Sequence, residues 1–450
     1  MLDTPTEQIA AFALSSAADS LPPAVKHAVR RAMLDSFGVA VAGSTHEAAK
    51  KVAGLASKVP GPCGVIGTDI RTDAINAALA NGVSAHVLDW DDTILPTRAH
   101  LSAALLPPLM AVGEERGWTI GQLIQAFAVG FEIQSRINLA VYPSVHLRGW
   151  QGTGIAGGAG TAAALGRLMG LSLQQTCHAM GIAATGAAGL TATFGSMAKA
   201  LNIGRAGASG LQSALLAAEG FTSHHDIFGT GRFLEMFDDS PRHAVLTERL
   251  GDDWAILNNG YKSYPCGFVA HAAIDAVRAL RDAAGGPEHM RQLELRVSKE
   301  SMHLMGRLDP ANALEAKFSL LYDIAVAWVT GNVTPAAFEP AEVMRPIYRE
   351  VMPRISLVAS EAIRQHEAFA TVVLEGRPSI SFHVEHARGT TARPLTDSDL
   401  VEKFLICLST GGIDNAENLL ALIMHSEDVR VAQVMRNLTP DADKAARRGS

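Results

Sequence analysis

Apolar residues recur at helical spacing along most of the first 250 residues of the chain. Segment 22–43 has proline in its first turn, continues with apolar side chains three or four residues apart, and ends at Gly43. The same pattern predicts helices over 73–92, 102–117, 119–142, 160–170 and 202–220. Several of these segments are rich in alanine and glycine, whose small side chains let helix backbones cross closely. We therefore predict a compact, all-helical domain.

The pattern changes after Trp254. Segments 292–306 and 379–389 alternate apolar and polar residues with many β-branched side chains, as strands do. A helical pattern over 315–331 separates them, and helical spacing returns over 397–410 and 415–425. We predict a mainly α fold in which a large all-helical domain (1–255 and 396–450) is joined by a smaller α+β domain (256–395). The chain returns to the helical domain at its C-terminus.

Composition narrows the class of protein. Apolar residues make up 48% of the chain and charged residues 18%, and the net charge of −7 argues against nucleic acid or a membrane surface as the main partner. The uncharged run 168–198 is interrupted by glycine, glutamine and histidine, which favours buried helices over a membrane span. The N-terminal segment has no basic region, so we expect a cytoplasmic protein. The cysteines are far apart and form no C-x-x-C pair, which argues against disulfides and a thiolate zinc site: Cys63, Cys177, Cys266 and Cys407.

A G-x-G-x-x-G pattern begins at Gly152 and could indicate dinucleotide binding. That interpretation requires a strand before the first glycine and an acidic residue about 20 residues further on. The preceding residues contain Pro143 and show no strand pattern, and no acidic residue occurs between Glu132 and Glu219. We therefore predict that Gly152, Gly154 and Gly157 allow close helix packing instead.

The same acid-free segment, 133–218, carries only basic charges. If part of it lines a cleft, that cleft attracts small anions, and arginine can bind a carboxylate through two parallel hydrogen bonds. The alternative is that these side chains lie singly on solvated helix ends. The basic residues are Arg136, Arg148, Arg167, Lys199 and Arg205.

The densest group of polar residues is HVLDWDDTILPTRAHLS, residues 86–102. Asp89 and Thr93 are four residues apart and can face the same way, and the break at Pro96 can bring His100 back toward them. A carboxylate beside an imidazole fixes its tautomer and raises its basicity, which suits general acid–base catalysis. Helix capping by aspartate and threonine is the structural alternative. The ligand set is poor for calcium, magnesium or zinc, so we predict no metal.

Two further segments carry isolated lysines among apolar residues. Lys199 lies in FGSMAKALNIGRAG, and Lys262 lies with Tyr264, Cys266 and His271 before a predicted helix. A partly desolvated lysine either pairs with an anion or has a lowered pKa, although a long lysine chain can also reach solvent from an apolar surface. A nucleophilic role for Cys266 lacks local support.

Taken together, these stretches resemble the MmgE/PrpD family over nearly the whole chain. The motifs that carry the resemblance occur in the family's order: LDWDDT followed by histidine, RGWxxTG, FGSMAKALNIGRA, YKSYPCGFVAH and EAKFSLLY. The family includes 2-methylcitrate dehydratases, a cis-aconitate decarboxylase and an iminodisuccinate epimerase. The resemblance implies a homodimer that acts on small di- or tricarboxylates in a cleft between two domains, without a metal or organic cofactor.

By resemblance, Asp89, His100, Lys199 and Lys262 are the expected catalytic residues. The expected substrate-binding residues are Thr93, Arg148, Gln151, Arg205 and Tyr264. Two positions depart from the family: Gln151 stands where relatives have histidine, and Gly267 stands where the decarboxylase has a further histidine. An amide cannot transfer a proton at neutral pH, so the two missing imidazoles argue against decarboxylation and leave fewer groups for proton transfer than the dehydratases have.

The expected chemistry is removal of a proton α to a carboxylate. Lysine ammonium groups in a dry cleft would stabilise the resulting dianion, and His100, oriented by Asp89, would transfer the proton. The leading hypothesis is a lyase, a dehydratase of a hydroxy di- or tricarboxylate. The alternatives are an epimerase or isomerase of a related dicarboxylate and a carboxylate-binding protein without catalysis.

Overall fold

The computed structural model describes residues 3–15 and 20–439. The C-terminal segment DADKAARRGS, 441–450, for which the sequence predicts a frayed end, lies outside these ranges. Within them the fold is mainly α with a smaller α+β part, which confirms the predicted fold class. No helix in the described ranges is both long enough and apolar enough to cross a membrane.

The described part of the first 250 residues forms helices with three two-residue strands between them. In chain order the elements are α1 (Pro5–Leu14), α2 (Pro23–Gly43), α3 (Glu47–Ala56), β1 (Cys63–Gly64), β2 (Arg71–Thr72), α4 (Ala74–His86), β3 (Thr93–Ile94), α5 (Leu101–Arg116), α6 (Ile120–Val141), α7 (Ser144–Leu147), α8 (Gly152–Met169), α9 (Leu173–Thr185) and α10 (Met197–Ala218).

The rest of the chain mixes strands and helices before ending in helices. The elements are β4 (Asn259–Gly260), α11 (His271–Ala284), β5 (Met290–Ser298), α12 (Lys299–Leu304), α13 (Ala313–Ala316), α14 (Leu320–Thr330), α15 (Pro340–Val343), α16 (Pro346–Val351), β6 (Ile355–Ser360), β7 (Ala368–Leu374), β8 (Ile380–Val384), α17 (Asp397–Gly411), α18 (Ala416–Met424) and α19 (Val431–Asn437). Short 3-10 helices occur at Thr191–Thr193, Leu234–Met236, His243–Leu246, Ala255–Asn258, Phe268–Ala270, Pro335–Phe338 and Met352–Arg354.

The buried apolar side chains form two main cores. The larger core takes residues from α1 to Tyr261 and again from Leu395 onward, and the smaller takes residues from Tyr264 to Ala387. The last helices rejoin the first core because α17 packs on α2 and α18 contacts α2. This division of the cores agrees with the two-domain organisation we propose, 1–255 with 396–450 and 256–395, although Ile256, Tyr261 and Leu395 belong to the larger core.

Helix α8 lies at the centre of the helical part, against α5, α6, α9 and α10. Its glycines explain how so many helices approach it. A Cβ at Gly154 would lie 2.0 Å from the Ala188 carbonyl oxygen, and one at Gly160 would lie 2.3 Å from Gln134 Cγ. No strand leads directly into α8 in the described part of the chain, because the segment before it is the short helix α7 and a turn. The glycine pattern thus serves helix packing.

The smaller core is built on a four-stranded sheet of order β6-β5-β7-β8. β5 pairs parallel with β6 and antiparallel with β7, and β7 pairs antiparallel with β8. Helix α11 packs against β7, β8 and α14, so alternate strand residues are buried beneath it. A two-residue pairing of β3 with β4 brings the 86–102 segment beside the start of the α+β part.

Several predicted boundaries were wrong for local reasons. Segment 292–306 is a strand only to Ser298, whose side chain caps α12. The predicted helix over 73–92 ends at His86, because the chain turns at Asp89 with φ 53°. Segment 315–331 is two helices separated at Ser319, which caps α14. β6 and β7 were not predicted, although β7 alternates buried and partly exposed residues.

Candidate active site

The turn after α4 places Asp89 inside the protein. Asp73 caps the start of α4, and the helix ends at His86. Asp89 then adopts a left-handed backbone conformation, with φ 53°, which is uncommon for a residue other than glycine. β3 follows at once, and its pairing with β4 brings Lys262, two residues beyond β4, beside this turn.

Asp89 joins two buried lysines. Its Oδ1 lies 2.8 Å from Lys199 Nζ and 2.6 Å from Lys262 Nζ. Burial opposes ionisation of Asp89, yet the two ammonium charges keep its pKa well below the ordinary value. Burial lowers the pKa of Lys199, while the charge of Asp89 raises it. Two cations sharing one carboxylate oxygen leave a surplus positive charge.

Lys199 reaches this position from the first turn of α10. Its Nζ lies 5.2 Å from the ring centre of Phe194 and 5.0 Å from that of Phe318. Aromatic faces attract a desolvated ammonium group and limit its movement. α10 crosses α4 closely, since a Cβ at Gly82 would lie 2.7 Å from the Gly204 Cα. The small residues of FGSMAKALNIGRAG therefore help to bring Lys199 to Asp89.

Asp91, rather than Asp89, contacts the imidazole of His100. Asp91 Oδ2 lies 3.1 Å from His100 Nδ1 and 2.9 Å from His86 Nδ1. The prediction that Asp89 orients His100 was wrong, because the left-handed turn directs Asp89 to the lysines. Burial lowers the pKa of His86 to about 4, so this ring is neutral at pH 7 and donates Nδ1–H to Asp91. Burial opposes ionisation of Asp91, but both imidazoles hold its pKa well below the usual range.

The remaining contacts fix the ring of His100. Its Nδ1 also lies 3.2 Å from the Asp92 carbonyl oxygen and 3.4 Å from Thr93 Oγ1. Its backbone N–H donates to Thr153 Oγ1 at 2.7 Å, which ties the residue to the first turn of α8. With Nδ1 engaged on the protein side, Nε2 is the ring nitrogen left for a ligand.

These groups line a cavity of about 700 Å³. Six predicted site residues lie on its wall: Asp89, Thr93, His100, Gln151, Lys199 and Lys262. Eight more polar residues on the wall were not predicted: Arg98, His146, Thr153, Thr191, Glu300, His303, Gln365 and His366. Glu300, His303, Gln365 and His366 come from the α+β part, so the cavity lies between the two parts of the chain.

Three predicted binding residues do not reach this cavity. Arg148 forms an ion pair with Asp239, 2.6 Å away, outside it. Arg205 is exposed on α10. Tyr264 is buried beneath the α+β part, where its hydroxyl donates to Asp275 Oδ1 at 2.6 Å. The acid-free segment therefore supplies Lys199 and Gln151 to the wall, but neither of these arginines.

The two departures from the family have structural partners. A Cβ at Gly267 would lie 2.4 Å from Met305 Sδ, so Met305 fills the space that a larger side chain would need. Gln151 precedes α8, and its Oε1 accepts a hydrogen bond from Asn202 Nδ2 at 3.0 Å. Its Nε2 is buried and has no hydrogen-bond partner among the described residues. That amide group can donate to a ligand oxygen in the cavity.

A third buried lysine lies behind the first two. Lys317 Nζ donates to the carbonyl oxygens of Leu88 at 2.9 Å and Pro265 at 2.8 Å, and burial lowers its pKa to about 8. It was not predicted as a site residue, although it lies in the motif EAKFSLLY. It adds positive charge near Asp89. Its two hydrogen bonds hold the turn that precedes Asp89 and the turn that follows Lys262.

Four residues bring metal-ligand atom types within 4.8 Å of one another: His86, Asp89, Asp91 and His100. Each carboxylate is already engaged, Asp89 by two ammonium groups and Asp91 by two imidazoles. A divalent cation bound at Asp89 would meet repulsion from both lysines. These contacts fit a hydrogen-bonded network better than a metal site.

Comparison with known proteins identifies related chains. The family model described as the MmgE/PrpD N-terminal domain matches residues 7–242, and that of the MmgE/PrpD C-terminal domain matches 264–427. The cis-aconitate decarboxylase of Mus musculus is 26% identical over 97% of this chain and 94% of its own. The cis-aconitate decarboxylase of Homo sapiens is 27% identical over 97% of this chain and 95% of its own. The cis-aconitate decarboxylase of Aspergillus terreus is 27% identical over 84% of this chain and 82% of its own.

Proposed function

Because the chain belongs to the MmgE/PrpD family, we propose that it is an enzyme, a lyase that acts on a small di- or tricarboxylate. The observation that carries the proposal is the pair of buried ammonium groups on Asp89, beside an imidazole whose Nδ1 is fixed. The surplus positive charge suits a substrate carboxylate, and the imidazole suits proton transfer next to it.

The proposed step begins with binding of one substrate carboxylate at Lys199 and Lys262. His100 Nε2 removes the proton from the adjacent carbon, and the C–H electrons move into the carboxylate to form a dianion. The two ammonium groups are already in place, so they stabilise this charge without reorganisation. Asp91 stabilises the imidazolium that His100 becomes, because its carboxylate accepts from Nδ1.

Dehydration completes the proposed reaction when the substrate carries a hydroxyl on the next carbon. The C–O bond breaks, a carbon–carbon double bond forms, and the imidazolium of His100 returns its proton to the departing hydroxide as water. In this proposal Thr93 and Gln151, which line the cavity, hydrogen-bond substrate oxygens. The mechanism uses only side chains of this protein.

Decarboxylation is the second candidate, and the names of the relatives favour it. In that reaction a C–C bond to a carboxylate breaks and CO₂ leaves. Its electrons delocalise into a remaining conjugated carboxylate, and His100 then protonates the carbon. The same cation pair would stabilise the charge. Gln151 and Gly267 argue against decarboxylation, because the cavity lacks imidazoles at those two positions, and they leave fewer groups for proton transfer in dehydration as well.

A screen of hydroxy and unsaturated di- and tricarboxylates tests the proposal. Ultraviolet absorbance of a new enoate reports dehydration, released CO₂ reports decarboxylation, and deuterium exchange without either product reports an epimerase. We expect Lys199→Ala and His100→Ala to abolish turnover while the protein stays folded. Arg148→Ala and Arg205→Ala are the matched controls, because neither residue reaches the cavity, and both should retain turnover.

Two outcomes would contradict the proposal. Near wild-type turnover by both Lys199→Ala and His100→Ala would rule out the assigned residues. Saturable carboxylate binding without exchange or product would instead indicate a binding protein. The homodimer and the cytoplasmic location stay predictions that sedimentation and cell fractionation can check.

A further inference from the structure

Arg98 is an arginine on the cavity wall that the proposed reaction leaves without a role. It lies five residues after Thr93 and two before His100, in the loop between β3 and α5. Its guanidinium crosses to the α+β part, where Nη2 donates to Glu300 Oε2 at 2.6 Å and to Gln365 Oε1 at 2.8 Å. Nη1 also forms an ion pair with Glu300. Arg98 thus binds a carboxylate inside the proposed active site.

The backbone of Arg98 is held in an unfavourable conformation. Its φ is 56°, and only three residues other than glycine have a positive φ in the ranges that the structure describes: Asp89, Arg98 and Arg249. Two of these three line the cavity. A left-handed conformation costs on the order of 1 kcal/mol for such a residue, and strain of this kind concentrates at functional sites.

Within the ranges that the structure describes, two hydrogen-bond donors at this point have no acceptor. Arg98 Nε and Gln365 Nε2 are both buried without a partner among the described residues. The Gln365 amide cannot simply be reversed, because its Oε1 already accepts from Arg98. Buried donors without acceptors are costly, and a ligand carboxylate can satisfy both. Glu300 is more than one-third exposed on its side chain and can turn toward solvent.

We propose that Arg98 is the residue that binds the second carboxylate of the substrate, in competition with Glu300. This inference rests on the proposed function, and it restricts the substrate to acids with at least two carboxylates. One carboxylate lies at the lysines, and the other takes the place of Glu300 at Arg98 with Gln365 as an additional donor. The negative charge of Glu300 also repels any substrate whose second carboxylate lies near Glu300 but cannot reach Arg98.

Calorimetric titration with propane-1,2,3-tricarboxylate, which has no hydroxyl to eliminate, tests the inference. We expect Arg98→Gln to weaken binding at least tenfold, because a charged bidentate contact is lost. Glu300→Gln should tighten binding several-fold, because it keeps the side-chain shape and removes the competing charge. Arg296→Gln is the control, since Arg296 pairs with Glu294 at 2.9 Å on β5, away from the cavity.

The outcomes separate this inference from the proposed function. If the wild-type protein binds no di- or tricarboxylate in the screen, the proposed function fails and this inference with it. Equal binding by wild type and Arg98→Gln overturns the inference alone. Weaker binding by Glu300→Gln also overturns it, because that result means the ion pair only orders the loop. If Arg98→Gln does not fold, the sign of the Glu300→Gln effect still decides.

Discussion

Replacing Asp89 by asparagine tests the charge arrangement on which the site depends. The substitution keeps the shape of the side chain but removes the negative charge between Lys199 and Lys262, which lie 2.8 and 2.6 Å from Oδ1. All three groups are buried, so Asp89→Asn leaves two adjacent unpaired ammonium groups. Removing one partner from a buried ion pair typically costs about 3–5 kcal/mol of folding free energy.

The loss should depend on pH in a defined direction. In the wild type the pKa of Asp89 is lowered, so its contribution is complete above the unfolded value near pH 4 and is lost only as pH falls below it. In Asp89→Asn the pKa of Lys199 falls further, since burial already lowers it and the opposing charge of Asp89 is gone. The unfolded chain then binds more protons, and stability rises with pH. We expect the deficit to be largest at pH 7 and smaller at pH 9.5.

Thermal unfolding followed by circular dichroism at pH 7 and pH 9.5 measures the stability deficit of Asp89→Asn. Turnover is assayed in parallel. Asp92→Asn is the matched control, because burial raises the pKa of Asp92 to about 8 and its carboxyl is mostly neutral at pH 7. It should not unfold below the wild-type temperature at pH 7, because ionisation of the unfolded carboxyl already favours unfolding of the wild type at that pH and is absent from the variant. Wild-type stability of Asp89→Asn at pH 7, or an equal deficit at both pH values, would refute the reasoning.

Three further results are expected. Because the pKa of Asp92 is raised, its contribution to stability is complete below pH 4 and is lost as pH rises through about 8. Asp92→Asn should therefore have a higher unfolding temperature than the wild type at pH 9. A lower unfolding temperature would contradict this. Asp91→Asn should lower kcat about 10²-fold or more without unfolding the protein, because His100 loses the carboxylate at Nδ1; unchanged kcat would exclude that role. Gly267→His should lower the free energy of unfolding by about 1–3 kcal/mol, because the new side chain overpacks against Met305. In a denaturant titration, the double variant with Met305→Ala should recover part of this loss. If the losses of the two single variants simply add, the two side chains do not compete for the same space.

Sequence patterns predicted the fold class because most helices show clear apolar spacing. Strand β7 was missed because its sequence, AFATVVL, is apolar at nearly every position and therefore shows no alternation, and its partners are set by the sheet. The turn at Asp89 could not be predicted, since a left-handed aspartate depends on its tertiary contacts with the lysines. Local spacing therefore identified the elements but not where some of them end.

The same limits apply to the site. Motif order was enough to select Asp89, His100, Lys199 and Lys262, which the structure places on one cavity. It could not assign partners, because Asp89 and Asp91 are two residues apart and only the backbone turn decides which one faces His100. Arg98 was overlooked because basic charge was sought in the acid-free segment, whereas this arginine follows three acidic residues.

Helix α17 determines the expected effect of a late stop codon in the gene. Lys403 pairs with Asp35 at 2.6 Å and donates to the carbonyl oxygens of Trp90 at 2.5 Å and Lys262 at 3.1 Å. Every residue that lines the cavity precedes position 367, so a stop codon at about position 396 would preserve the full set of reactive side chains. The truncated product would nevertheless lose the ammonium group of Lys403, which holds the loop after Asp89 and the segment at Lys262 through its hydrogen bonds. A nonsense allele that late should therefore behave as a null.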